Sequence, residues 1–155
     1  MGQRPPHLEI GQISPVLTTP LTLGRADSGG LQLVIFERGH WCSSCLRHLD
    51  GLDREAGRLA ELGANLQVIT HEAPSAVRFH PFPVLADTDL SVGHAFGIVA
   101  ADEFGYVTLR PTTLLVDQAG TILFSYVGDD SRDRPTAQEI VLVLERLSHH
   151  PDSDS

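Results

Sequence analysis

The sequence contains no lysine, and all 11 of its basic residues are arginine. This absence excludes a P-loop lysine and any Schiff-base chemistry, because both need a lysine amine. Positive charge is also scarce, since 20 acidic residues leave a formal net charge of −9. We therefore expect no nucleic acid and no anionic membrane as partner. No apolar run approaches the about 18 residues of a membrane helix, and no apolar signal segment precedes Ile10, so we expect a cytoplasmic location.

Cysteine is rare as well, with two residues, Cys42 and Cys45, in the 155-residue chain. A disulfide between them would close too short a loop to stabilise the fold much. Structural zinc usually takes four ligands, and the eight histidines show no ligand spacing around the pair. A redox-active dithiol, a metal site and two inert buried thiols stay open at this point. His48 completes a C-x-x-C-x-x-H spacing, but a lone helix histidine is more typically solvated.

The first half of the chain reads as a strand, a helix and a second strand. A buried strand is predicted from Leu31 to Phe36, and another from Asn65 to Thr70. Between them, a helix is predicted to begin at Cys42 and to end before Gly63, a typical C-cap residue. Its apolar stripe consists of Leu46, Leu49, Leu52, Ala56, Leu59 and Leu62. Such a unit implies a right-handed crossover and two parallel strands.

The second half adds a short helix, a hairpin and a final helix. The short helix is predicted over Asp89 to Phe96, and the hairpin strands over Thr112 to Val116 and Thr121 to Val127. Thr136 followed by Glu139 is a capping box, which predicts where the last helix begins. The element order predicts one α/β domain, in which the cysteines lie at the first strand-to-helix turn. Active groups in such sheets lie at the carboxyl ends of strands.

The position of the cysteines suits thiol chemistry. A thiolate is the reactive form, and a helix N-terminus favours it over the thiol. Cys42 is predicted at the helix start, with Cys45 one turn further in. Arg38 and His40 precede the pair and could add positive charge beside it. Glu37 is expected to be a solvated carboxylate.

The segment from Phe36 to Cys45 resembles the F-x-R-G-x-W-C-x-x-C motif of the peroxiredoxin-like (AhpC/TSA-type) branch of the thioredoxin superfamily. Five further segments resemble that branch in the same order, namely Gly11–Pro15, Phe82–Asp87, Arg110–Gly120, Tyr126–Gly128 and Asp133–Pro135. The resemblance implies a thioredoxin fold, with a mixed central sheet and helices on both faces. The predicted domain covers residues 11–147, after an irregular lead-in over 1–10 and before a polar tail over 148–155.

The resemblance also implies a function. It predicts a thiol peroxidase that reduces a hydroperoxide through the Cys42–Cys45 pair, without a cofactor or a metal. A thioredoxin- or glutaredoxin-type reductant would restore the dithiol, and homodimers are common among such proteins. Trp41 is expected to cover the dithiol, and Pro111 to match the cis-proline that faces it. The alternatives are a disulfide reductase without peroxidase activity, a copper- or zinc-binding redoxin, and a degenerate redoxin that acts as a binding module.

Two departures from the family pattern concern the reacting residues. Peroxiredoxins carry P-x-x-x-T-x-x-C, and counting from Phe36 puts their proline on Arg38, their threonine on Cys42 and their peroxidatic cysteine on Cys45. The W-C-x-x-C count instead makes Cys42 the nucleophile, which we favour because it lies nearer the helix tip. Pro111 occupies the place of a second active-site arginine, and Arg110, one residue away, is its candidate substitute.

Overall fold

The computed structural model describes residues 8, 10, 11, 30–39, 41–79 and 84–148. In chain order the elements are β1 (Leu31–Glu37), α1 (Ser43–Arg54), α2 (Ala56–Glu61), β2 (Ala64–Thr70), a 3-10 helix (Pro74–Phe79), β3 (Val84–Ala86), α3 (Ser91–Phe96), β4 (Val99–Ala101), β5 (Val107–Leu109), β6 (Thr112–Val116), β7 (Ile122–Val127) and α4 (Ala137–Ser148). None of the helices in this part of the chain is both long and apolar enough to cross a membrane.

Five strands form one mixed sheet in the order β3-β2-β1-β6-β7. The strand β1 lies at its centre, parallel to β2 and antiparallel to β6, which forms a hairpin with β7. The strands β4 and β5 form a separate two-stranded ribbon. The predicted parallel pair and the predicted hairpin are both confirmed.

Helices cover both faces of the sheet, because β1 is apolar on both of its sides. Leu33 and Ile35 pack with α1, α2 and α4 on one face. Val34 and Phe36 pack with α3, Ile98 and Leu109 on the other. A strand buried on both faces reads as a continuous apolar run, which explains its sequence. The predicted α/β thioredoxin fold is confirmed.

The predicted long helix is wrong in one respect, since it breaks at Glu55 into α1 and α2. The amide of Glu55 is shared between the carbonyls of Gly51 and Leu52, a tight closing turn. Glycines at positions 51 and 57 weaken helix propagation on either side. Leu46, placed in the apolar stripe, is 40% exposed.

Both ends of the chain lie almost entirely outside the described residues. The lead-in contributes Leu8, which is fully buried in the core beneath β1. Ile10 is exposed, and the amide of Gly11 donates to the carbonyl of Ile122. The start of the chain is therefore attached to the hairpin at these positions.

Candidate active site

The two cysteines lie where the chain leaves β1 and enters α1. Cys42 is the N-cap residue of α1, with extended backbone angles, and its sulfur accepts a hydrogen bond from the Cys45 amide at 3.3 Å. A side chain in this position satisfies one of the free N–H groups of the first helical turn. Both residues are free cysteines and both are buried, with 3% and 0% exposure. The predicted placement of the pair at the helix start is confirmed.

The environment of Cys42 favours the thiolate. Arg38 donates from Nη2 to the Cys42 sulfur at 3.3 Å. A hydrogen bond with the Cys45 side chain lowers the pKa of Cys42 to about 6, the Arg38 contact acts in the same direction, and burial opposes both. Charge-assisted hydrogen bonds of this kind favour the ionised form. These contacts therefore shift Cys42 toward the ionised form.

Cys45 behaves in the opposite way. Burial raises the pKa of its thiol, and the hydrogen bond with Cys42 raises it further. Its sulfur accepts from the Arg38 amide at 3.4 Å and lies 3.6 Å from Nη2 of Arg134. The pair thus combines one thiolate with one thiol that keeps its proton. That division is what a nucleophile and a resolving cysteine require.

Arg38 is held in place by a buried network. Its Nη1 donates to Asp102 at 2.5 Å and lies 3.4 Å from Glu103, in the turn between β4 and β5. Its guanidinium also stacks over the Trp41 ring, 5.1 Å from the ring centroid. Stacking and paired hydrogen bonds fix an arginine plane well. Arg38 therefore presents a rigid cation to Cys42.

A cleft of about 350 Å³ opens beside Cys42. We call it the dithiol cleft. Its walls include Arg38, Trp41, Cys42, Phe104, Tyr106 and Arg132. Trp41 is 48% exposed, so it forms one wall of the cleft and covers the dithiol only in part. Cys42 is in the lining and Cys45 is not, which makes Cys42 the sulfur that an incoming molecule meets.

The other predicted site residues have different placements. His40 lies outside the described residues. The expectation of a cis bond before Pro111 is wrong, because the described residues contain no cis peptide bond. The Arg110 amide pairs with Ile98 and the Pro111 carbonyl with Gly128, so the chain runs extended through this proline. Arg110 donates to the Gly128 carbonyl at 3.0 Å and lies outside the described lining of the cleft.

A buried polar cluster beneath Cys45 was not predicted from the sequence. Glu37 and His48, both expected in solvent, are 0% and 8% exposed. The Glu37 carboxylate accepts from Nη1 of Arg134 and lies 2.5 Å from Nδ1 of His48. Arg134 thus bridges Glu37, which lies 97 positions away in the sequence, to Cys45. The arginine at the second cysteine is therefore Arg134, which belongs to a family-like segment but was not among the predicted site residues.

His48 is held through both of its ring nitrogens, and Nδ1 faces the Glu37 carboxylate. The other ring nitrogen of His48, Nε2, faces the Pro135 carbonyl at 2.9 Å, so it must donate. Burial lowers the pKa of His48 to about 4, against the effect of the Pro135 bond. These two contacts fix the orientation of the buried ring.

The same contacts bear on metal binding. Both ring nitrogens of His48 are engaged by Glu37 and Pro135, so the C-x-x-C-x-x-H spacing does not bring a free imidazole to the dithiol. Within the described ranges, no three His, Cys, Asp or Glu side chains are grouped to hold a metal ion.

Comparison with known proteins identifies the family of this chain. Residues 17–125 match the model of the AhpC/TSA family. A comparison with curated proteins finds no significant match.

Several solved structures share the fold. Peroxidoxin BcpB from Mycobacterium tuberculosis superposes with a TM-score of 0.75 at 20% identity, over 91% of this chain and 99% of that one. AhpC from the same organism gives 0.71 at 18% identity, over 92% and 94%. A mutant of PrxQ from Xylella fastidiosa gives 0.69 at 14% identity, over 92% and 99%. At these identities the likeness establishes the fold.

Proposed function

Because this chain belongs to the AhpC/TSA family and is thus a thiol-dependent oxidoreductase, we propose that it reduces hydroperoxides through a dithiol–disulfide cycle of Cys42 and Cys45. The observation that carries the proposal is the Cys42 sulfur, which lines a cleft and accepts a hydrogen bond from the Arg38 guanidinium at 3.3 Å. An anionic sulfur in contact with a fixed cation is suited to attack a peroxide oxygen, since negative charge moves onto the leaving oxygen.

The first step joins the Cys42 sulfur to the terminal oxygen of the hydroperoxide and breaks the O–O bond. Cys42 becomes a sulfenic acid, and the alkoxide or hydroxide leaving group takes up a proton to give an alcohol or water. Arg38 has a buried Nε without a hydrogen-bond partner among the described residues. In our proposal this N–H stabilises the leaving oxygen while Nη2 holds the sulfur.

The second step forms the disulfide. The Cys45 thiol loses its proton, its sulfur attacks the sulfenic sulfur of Cys42, and the hydroxyl leaves as water. Arg134, 3.6 Å from the Cys45 sulfur, stabilises the thiolate as it forms. A thioredoxin- or glutaredoxin-type dithiol then attacks the disulfide and restores both thiols through a mixed disulfide. We further propose a cytoplasmic location and a homodimer, as the family resemblance implies.

A disulfide reductase without peroxidase activity is the second candidate. It is favoured by the same pKa asymmetry, since a low-pKa Cys42 and a protonated Cys45 also suit disulfide exchange. The family's proline and threonine are replaced here by Arg38 and Cys42. Their absence also favours disulfide reduction without peroxidase activity.

Rapid mixing with one equivalent of hydrogen peroxide separates the two candidates. Trp41 is the sole tryptophan and adjoins Cys42, so its fluorescence should report the dithiol. We expect a fast fluorescence change and the loss of both free thiols. No change within seconds at millimolar peroxide, with both thiols intact, would leave disulfide reduction as the function.

The pH dependence tests the part played by Arg38. In the wild type, the thiolate absorbance of Cys42 should appear as the pH rises through about 6. The double variant Arg38→Met/Asp102→Asn removes the cation together with its buried counter-charge, and should move this midpoint upward by about one to three units. The measurement is the thiolate absorbance against pH, with Cys42→Ser as the blank. Asp102→Asn alone is the matched control, and an equal shift there would show that Arg38 does not set the pKa.

A further inference from the structure

A second cleft with an unusual charge lies next to the dithiol cleft. It has a volume of about 390 Å³, and four of its lining residues are arginines, Arg47, Arg54, Arg132 and Arg134. No aspartate or glutamate is in its described lining. We call it the arginine groove. The chain has a net charge of −9, but the charged side chains that line this groove are all arginines. The electrostatic potential in the groove is therefore expected to be positive.

Two of the four arginines lack an acidic partner. Arg134 is paired with Glu37, and Arg54 with Asp50. Arg47 contacts the Ser44 hydroxyl at 3.5 Å, a neutral group. Among the described residues, no carboxylate lies within ion-pair distance of the Arg47 or Arg132 guanidinium. These two side chains therefore carry positive charge that the fold leaves uncompensated.

The arginine groove and the dithiol cleft share a wall. Ser44, Arg47, Ser131 and Arg132 line both. Cys42 lies on the dithiol side of this wall, together with the exposed rings of Trp41, Phe104 and Tyr106. Glu103 also lines that side, where it contacts Arg38 and accepts from Ser131. A bound molecule would thus meet apolar rings and a reactive sulfur first, and two uncompensated cations beyond them.

We propose that Arg47 and Arg132 bind the carboxylate of a small amphipathic substrate whose reactive group lies at Cys42. Guanidinium groups recognise carboxylates with paired, charge-assisted hydrogen bonds, and the aromatic walls accommodate an apolar body. This inference rests on the proposed function, because it names a substrate class for the same dithiol. The carboxylate can belong to an organic hydroperoxide or to a thiol reductant, and the two half-reactions separate these sources.

The first half-reaction, the oxidation of the dithiol, forms the peroxide arm of the test. It compares cumene hydroperoxide that bears a ring carboxylate with the methyl ester of the same compound. The second-order rate constant with reduced protein, followed by Trp41 fluorescence, should favour the acid by about tenfold. In Arg47→Gln/Arg132→Gln that ratio should fall to about one, and salt should lower it in the wild type. Arg58→Gln/Arg146→Gln removes the same two charges at exposed positions outside both clefts and should keep the wild-type ratio.

The reductant arm uses oxidised protein with mercaptopropionate and its methyl ester, followed by Trp41 fluorescence, with the protein thiols counted after the reductant has been removed. A preference for the acid that depends on Arg47 and Arg132 in either arm supports the proposal and identifies the source. Equal rate constants for acid and ester in both arms overturn it. An equal loss in Arg58→Gln/Arg146→Gln also overturns it, because bulk charge then explains the preference.

Failure of the peroxidase itself gives a different result. In that case neither hydroperoxide reacts, while the reductant arm still tests the groove. An unreactive analogue, isopropylbenzoate, can also be titrated against reduced protein by Trp41 fluorescence. Saturable binding that Arg47→Gln/Arg132→Gln weakens about tenfold supports the anion site whatever the peroxide does. Equal affinity for the acid and its methyl ester contradicts the site.

Discussion

Replacing Cys42 by serine should lower the rate constant for the reaction with hydroperoxide by at least about a thousandfold, because a serine hydroxyl is not ionised near neutral pH. The contacts from Arg38 and the Cys45 amide that favour the Cys42 thiolate cannot make a serine oxygen an equivalent nucleophile. The measurement is stopped-flow Trp41 fluorescence together with a count of free thiols after mixing. Cys42→Ser should show neither a fast phase nor loss of the remaining thiol.

Cys45→Ser is the matched variant, since it removes the other sulfur of the same pair. Here the fast phase should survive, and the product should carry one additional oxygen on Cys42, visible by mass spectrometry. No intramolecular disulfide can follow. If Cys42→Ser reacts and Cys45→Ser does not, Cys45 is the first nucleophile, and the gapless peroxiredoxin count gives the correct assignment.

Replacing Glu37 by glutamine should lower the free energy of unfolding by about 3–5 kcal/mol. The change removes the negative charge that compensates Arg134, whose side chain is only 7% exposed, and alters the contact with Nδ1 of His48. A buried cation left without its partner is costly, because the interior screens and solvates it poorly. Urea denaturation of the reduced protein measures the effect as a lower transition midpoint.

Asp50→Asn provides the control for that experiment. It removes one carboxylate from another arginine pair, but the side chains of Asp50 and Arg54 are 63% and 66% exposed. Exposed pairs contribute about 0–1 kcal/mol, so the midpoint should hardly move. Equal shifts in Glu37→Gln and Asp50→Asn would contradict a structural role for the buried cluster.

Elements with a strong local signal were predictable from the sequence. The strand Thr112–Val116 has the predicted bounds, and the capping box is present, with Thr136 and Glu139 bonded to each other's backbone amides. The three strands of three residues each, β3, β4 and β5, were missed. So short a segment has no period to detect, and its pairing partners are set by the tertiary fold.

The candidate site shows the same division between local and distant information. Arg38, Trp41 and the two cysteines lie within eight positions, and the local motif indicated them as a group. Arg134 reaches the site only because the loop before α4 folds back on α1. Glu37 and His48 were expected in solvent, since charged and polar residues usually are. Their contact joins the end of β1 to a buried position of α1, a relation that composition does not reveal.

The capping of α1 by Cys42 links a helix to the redox equilibrium of the whole protein. A thiolate places full negative charge against the helix N-terminus, whereas the sulfur of a disulfide is neutral and a weak acceptor. In a thermodynamic cycle, whatever lowers the pKa of Cys42 also stabilises the reduced protein relative to the oxidised one, so its reduction potential rises. We therefore expect the oxidised protein to be readily reduced and its first helical turn to be loosened. That loosening would bring two sulfurs, buried while reduced, within reach of the reductant.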